Sequence, residues 1–182
     1  METRECIKSR RSVRSFTSQE ISGEILRELL EAVRWSPSWA NTQCWELIVI
    51  KEKVTKEKAA ELLAEGNPAT KATRQAPLLF VLCGKKGKAG FKKGAPMTNK
   101  GDWYMFDLGI ACQSICLAAH DLGLGTVIVG NFDHQGIDKL LNISDGTESV
   151  AIIPIGYPDG EGAVPSRKET GDFVFNESYG RR

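Results

Sequence analysis

Between residues 22 and 34 the apolar side chains Ile25, Leu26, Leu29, Leu30 and Val33 recur at helical spacing, with Glu24, Glu28 and Glu31 among them. That pattern predicts an amphipathic helix. A longer stretch, 102–122, is apolar nearly all round through Met105, Phe106, Leu108, Ile110, Ala111, Ile115, Leu117 and Ala118. A helix without a wide polar face belongs at the centre of a core or beneath a partner, and Gly123 marks its stop. Shorter helices are expected over 4–9, 55–64, 69–75 and 135–141. Strands are expected over 45–51, 78–83, 126–129 and 150–155, the second because it is short and continuously apolar.

Pro37 and the small polar residues up to Cys44 read as a loop, and the Gly- and Lys-rich stretch 84–100 as a second, exposed one. Helices and strands alternate, yet several connections are too short for parallel crossovers, which favours a layered α+β domain over a doubly wound sheet. A length of 182 residues suits one domain spanning 1–182. The tail beyond Gly156 mixes Gly, Pro and charge with Phe173, Val174, Phe175 and Tyr179, which need something to pack against.

Lys and Arg number 24 against 23 Asp and Glu, so no global field draws the chain to nucleic acid or an anionic membrane, and neither is expected as a partner. The opening Met1-Glu-Thr-Arg-Glu lacks the layout of a secretion signal and no apolar run reaches membrane-spanning length, so a cytoplasmic location is expected. The 5 cysteines include no CxxC pair, which points to reduced thiols. Cys112 and Cys116, at i, i+4 on the long helix, read as small buried hydrophobes ahead of a metal or redox pair. His120 reads as a structural residue at the end of that helix. Neither it nor His134 fits a metal-ligand pattern, and there is no GxSxG elbow or P-loop. Metal-dependent hydrolysis, acyl transfer and nucleotide hydrolysis therefore lack their usual parts, and no metal is expected.

The basic segment 10–14 is the most informative local feature. Arg10, Arg11 and Arg14 flank the Ser12 hydroxyl, and guanidinium forks beside a hydroxyl suit a phosphate; alone, the same residues would make an ordinary solvated turn. Gly123, Gly125 and Gly130 follow a helix and enter a strand, the reverse of a dinucleotide fingerprint. They read as a helix stop, a tight strand entry and, at Gly130, a place where a flat ligand can approach backbone N–H groups.

The balance changes when four segments are read together: Arg10-Arg-Ser-Val-Arg-Ser-Phe16, Pro37-Ser-Trp-Ala-Asn-Thr-Gln-Cys-Trp45, Asp107-Leu-Gly-Ile-Ala-Cys-Gln113 through Gly123-Leu-Gly-Thr126, and Ile153-Pro-Ile-Gly-Tyr-Pro158 with Arg167 beyond. In order, content and spacing they resemble the nitroreductase family of flavin mononucleotide (FMN) enzymes over nearly the whole chain. The resemblance implies a central mixed β-sheet flanked by helices, a long central helix at a homodimer interface, and a C-terminal tail, about 160–182, wrapped on the partner. It also implies FMN at the subunit interface, with NADH or NADPH as electron donor.

Residue by residue, Arg10, Ser12 and Arg167 would lie near the flavin phosphate. Arg14 would lie near the pyrimidine edge of the isoalloxazine, where a fixed cation stabilises the charge of reduced flavin. Arg11 would bind phosphate through its backbone or stay solvated. Pro37, Ser38, Trp39 and Asn41 would reach the flavin from the other chain, Gly130 and Asn131 would offer N–H groups to N5 and O4, and Asn67 or Lys71 would add a polar contact. Val129 holds a place that is often acidic in larger members, and Cys44 replaces a proline common in the loop. The implied reaction is hydride transfer from NAD(P)H through flavin to a nitroaromatic, quinone or similar small acceptor, by a ping-pong mechanism without a protein nucleophile. A specialised activity (dehalogenation, flavin breakdown or enoate reduction) and a non-catalytic flavin-binding protein are the alternatives. Lys85, Lys86, Lys88, Lys92 and Lys93 read as a solvated loop or as a lid for the phosphates of the nucleotide.

Overall fold

The layering follows from one strand. In β2 (Leu78–Lys85) Leu78, Phe80 and Leu82 enter one apolar cluster, while Leu79, Val81 and Cys83 enter another on the opposite face. A strand buried on both faces needs a covering layer on each side. In the computed structural model, which describes residues 1–160, 162 and 164–182, α2 (Gly23–Arg34) and α5 (Tyr104–Asp121) cover the first face. The second is covered by α3 (Lys53–Glu61), α4 (Thr70–Gln75) and α6 (His134–Leu140). The sheet order is β1 (Trp45–Ile50), β2, β6 (Thr147–Gly156), β5 (Gly125–Thr126), with every ladder antiparallel. The resemblance implied a mixed sheet, and the ladders within this chain are antiparallel; an isolated parallel bridge, Ser12 to Thr126, hangs the basic segment on the sheet edge. No helix among the described residues is long and apolar enough to cross a membrane.

Local chemistry accounts for most element ends. The Ser22 hydroxyl accepts the Ile25 N–H at 3.2 Å and caps α2, whose Leu29 and Val33 are buried. Each such fully buried aliphatic side chain contributes about 1.5–3 kcal/mol. At the end of α5, Gly123 (φ +77°) donates to the His120 carbonyl and Leu124 to that of Ala119, a left-handed stop that favours glycine. The strand expected over 126–129 is shorter. Pro154 of β6 has no N–H to offer, so the ladder stops at Thr126 and resumes only as a bridge between Val129 and Ile152.

The stretch 84–100 is less exposed than its composition suggests. β2 runs on to Lys85, and β3 (Phe91–Lys92) pairs with β4 (Ala95–Pro96). Ala89 is buried, its carbonyl accepting the Trp103 N–H at 3.0 Å. Lys85 pairs with Glu46, and Lys86 with Glu148 at 3.1 Å, which ties down two of the lysines considered for a lid.

Glu148 also accepts the Tyr104 hydroxyl. That hydrogen bond first, and Lys86 next among the favourable contacts, holds its carboxyl below the usual glutamate range. A depressed folded-state value means that the stabilisation is present above about pH 4.3 and is lost as pH falls through the lower folded value. Glu148→Gln should therefore cost about 0.5–1 kcal/mol near neutrality, the size of a partly exposed pair. Urea melts of the two proteins should converge in acid; a gap of constant size would contradict the assignment.

Candidate functional site

The basic segment leaves α1 (Thr3–Ser9), which packs against the C-terminal half of α5: the Cys6 thiol donates to the Leu117 carbonyl at 3.4 Å and Ser9 meets His120 at 2.7 Å. Burial, then the charges of Arg10 and Arg11, push His120 down, so a neutral imidazole lies under the segment. The Val13 N–H donates to the Thr126 carbonyl at 2.9 Å. A Cβ on Gly125 would stand 2.7 Å from Val13, so the close approach of segment and sheet requires glycine there. Arg11 turns back onto its own helix, donating to the carbonyls of Lys8 and Arg10 at 2.6 and 2.8 Å. Arg14 is exposed, and among the described residues its guanidinium makes one hydrogen bond, to the Ser12 carbonyl at 3.4 Å. Residues Ser12 to Ser15 with Asp159, Gly160 and Gly162 border a cavity of about 240 Å³.

The loop 37–44 sits at the other end of α5. Asp107, 1% exposed in the first turns of that helix, accepts the Trp39 N–H with both oxygens, at 3.0 and 3.1 Å, and the Cys44 thiol at 3.5 Å. Burial, then Asp107, pushes the Cys44 thiol up to about 12, so it stays a donor and not a thiolate. The loop is strained: Ala40, Asn41 and Gln43 all have positive φ, at 44°, 55° and 47°. Non-glycine residues there cost on the order of 1–3 kcal/mol each, and such strain persists only where the surroundings over-determine it. Here the Asp107 anchor, the Gln43 N–H on the Ser38 hydroxyl at 2.9 Å and the Trp39–Trp103 ring contact at 5.0 Å supply the restraint. Pro37 and Asn41 are exposed.

The third component is the turn after Val129. The Asn131 carbonyl accepts the Ala64 N–H at 3.3 Å and the Asn67 side-chain amide at 3.0 Å, and the Gly130 carbonyl meets the His134 ring at 3.2 Å. Among the described residues no hydrogen bond takes the N–H of Gly130 or of Asn131. Two consecutive carbonyls tied back and two N–H groups left over make a ready donor pair, and a Cβ on Gly130 would meet nothing in the chain. Of the two extra polar contacts considered, Asn67 belongs to this turn, whereas Lys71 lines a 660 Å³ cleft with Ser15, Lys56 and Arg74.

One chain does not bring all of these together. The segment 10–14 lies at the His120 end of α5 and the loop 37–44 at the Asp107 end, about 20 Å away at ~1.5 Å per residue. Arg167 is engaged by its neighbours, donating to the carbonyls of Pro165 and Ser166 at 3.1 Å. The hydrogen bonds of the described residues 165–182 all fall within that tail, which leaves Phe173, Val174 and Tyr179 exposed. Exposed apolar residues continue along α5, where Met105, Phe106, Gly109, Ile110, Gln113, Ser114 and Leu117 border a groove of about 580 Å³. Asp107 and His134 are two side chains at these places to which the sequence reading assigned no role. Asp107 carried one signal, a carboxylate inside an apolar helix; nothing in the sequence singled out His134.

The donor set suits a flavin phosphate: guanidinium and hydroxyl groups at one place, paired backbone N–H groups at another. The 240 Å³ cavity is below the roughly 300 Å³ at which pockets begin to enclose a ligand, so one chain supplies part of a wall. Five buried cysteines and two histidines notwithstanding, no group of His, Cys, Asp and Glu among the described residues could hold a metal ion.

Comparison with known proteins gives the same direction. FMN reductase [NAD(P)H] of Bacillus subtilis is 32% identical over 93% of this chain and 71% of its own length. Iodotyrosine deiodinase 1 of Mus musculus is 25% identical over 90% of this chain and 66% of its own length. Among solved structures, an FMN-dependent nitroreductase of Clostridium difficile superposes with a TM-score of 0.81 at 25% identity, covering 97% of this chain and 100% of the other. The model of the nitroreductase family matches residues 7–157, most of the chain, and the protein belongs to that family.

Proposed function

We propose that the chain is an FMN-dependent NAD(P)H oxidoreductase, acting as a homodimer on a nitroaromatic, quinone or similar small acceptor with ping-pong kinetics. FMN, when bound, supplies acceptance and return of a hydride at its N5 position. The observation that carries the reading is the N–H pair at Gly130 and Asn131, unpartnered among the described residues, on the same stretch as Thr126, which holds the basic segment by its bridge to Ser12.

Each group then has a distinct task. Arg10 and Ser12 hold the phosphate, with the backbone of Arg11 and, from the tail, Arg167. Arg14 places an uncommitted cation at the pyrimidine edge, and the Gly130 and Asn131 N–H groups orient the ring at N5 and O4. Pro37, Ser38, Trp39 and Asn41 of the partner close the site. A two-fold mate packed antiparallel on α5 would set the Asp107 end of one helix beside the His120 end of the other, which removes the ~20 Å separation seen within one chain. The exposed apolar tail gains a surface in the same step.

The purified protein should be yellow and release FMN on denaturation. NADH or NADPH should bleach it, and a panel of nitroaromatic, quinone and halogenated phenol acceptors should restore the colour. Colourless protein that FMN cannot reconstitute would overturn the reading. Arg14→Ala should leave the dimer intact and make the flavin potential more negative by roughly 30–60 mV, about 1.4–2.8 kcal/mol for a two-electron couple. A redox titration against indicator dyes decides this, and a wild-type potential would remove Arg14 from its role.

A further inference from the structure

Resting on the flavin reading, we infer that His134 is a positioning residue for the flavin site: its doubly protonated ring donates to two carbonyls at once and fixes the Gly130–Asn131 peptide plane. His134 opens α6 and lies against Phe132, with ring centroids 3.9 Å apart and planes at 33°. Its Nδ1 is 2.8 Å from the Ser149 carbonyl oxygen of β6, and its Nε2 is 3.2 Å from the Gly130 carbonyl oxygen. Both partners are acceptors only. A neutral imidazole carries one N–H and can serve one of them; the imidazolium serves both.

The Gly130 carbonyl and the Asn131 N–H belong to one peptide unit. In a trans peptide they point in opposite directions, so a donor that pins the carbonyl aims the N–H the other way. The next carbonyl, that of Asn131, is pinned by Ala64 and Asn67. His134 thus supplies the one restraint on the N–H assigned to the flavin edge that depends on a proton.

Three carboxylates and one ammonium group lie around the ring. Glu148, next to Ser149, is near enough for the His134 charge to ease its ionisation. Asp138 accepts the Ser149 N–H at 2.9 Å, and Asp133 caps α6 through the Gly136 N–H at 3.0 Å. The cation among these groups, Lys86, is paired with Glu148. Once the ring loses its second proton, the remaining N–H keeps the shorter contact, to Ser149 at 2.8 Å, and the Gly130 carbonyl at 3.2 Å loses its donor.

Two measurements test this. In the flavin-free protein, the amide resonances of Gly130 and Asn131 should titrate in step with the His134 ring signals; amides that stay put while the ring titrates would overturn the inference, whatever the protein binds. In the wild type, FMN affinity should fall about fivefold to tenfold as pH is raised far enough for the ring signals to show loss of the second proton. His134→Phe, which keeps a ring against Phe132, should bind FMN at the weaker level throughout, with no such slope. His134→Gln, with donors at one end only, should behave likewise. Variants that keep the wild-type slope would overturn the role of His134. Failure of the wild type to bind FMN at any pH would instead remove the flavin reading, and the amide titration alone would then judge the clamp.

Discussion

Asp107→Ala is expected to lower stability by about 2–4 kcal/mol and to release the loop 37–44. The carboxylate is buried, and it is the only acceptor seen for the Trp39 N–H and the Cys44 thiol among the described residues. A hydrogen bond to a charged group is worth roughly 1.5–3 kcal/mol, and a buried donor left without a partner adds its own desolvation cost. The loop has little to replace the anchor, because Ala40, Asn41 and Gln43 are already held in a disfavoured backbone region. Asp107→Asn keeps a carbonyl acceptor of the same size and should lose less than half as much. Urea unfolding gives the stability, and near-ultraviolet circular dichroism reports the Trp39–Trp103 contact, which should weaken in the alanine variant before global unfolding. If the site is shared between chains, FMN retention should fall with it. Equal stability of wild type and Asp107→Ala would show that the carboxylate is a spectator.

What the sequence made legible follows a physical division. Helix α2 and strand β2 are readable because burial imposes a pattern on them: Leu29 and Val33 face one layer, and β2 is apolar from Leu78 to Cys83 because it faces two. The short strands are not readable, since two-residue pairings such as Phe91–Lys92 with Ala95–Pro96 carry no period. The shortening at 126–129 depends on Pro154, which lies in another strand and acts only once the register is known. In the candidate site, Arg10, Ser12 and Arg14 are visible by charge and spacing, but the turning of Arg11 onto the Lys8 and Arg10 carbonyls answers the open carbonyls of a helix end, which spacing does not show. Asp107 shows how far composition reaches. A carboxylate in an apolar helix must have a donor, yet that donor, the Trp39 N–H, lies 68 residues earlier in the chain. His134 is the opposite case, because its meaning lies in two backbone carbonyls, and carbonyls have no residue identity to read.

A bulky residue at position 109 should yield a folded monomer that has lost its flavin. Gly109 sits in the middle of the outward face of α5, between Met105 and Phe106, 55% and 60% exposed, and Ile110. Within one chain a Cβ there would meet nothing. In an isolated chain, Gly109→Ala should therefore stabilise the helix by about 0.5–1 kcal/mol, since glycine is a poor helix residue. In the proposed dimer the missing side chain is where two α5 helices approach, so the same methyl should weaken association while raising the stability of the dissociated chain. Gly109→Phe should weaken association at least 100-fold, about 2.7 kcal/mol, while circular dichroism and the urea midpoint at low protein concentration stay near wild type. Because the loop 37–44 and the segment 10–14 would complete a site only across that face, FMN retention after gel filtration should fall by more than tenfold in the same variant. Sedimentation equilibrium separates the outcomes. A Gly109→Phe protein that remains a flavin-loaded dimer, or a wild type that holds FMN as a monomer, would mean that α5 is not the face on which the site is completed.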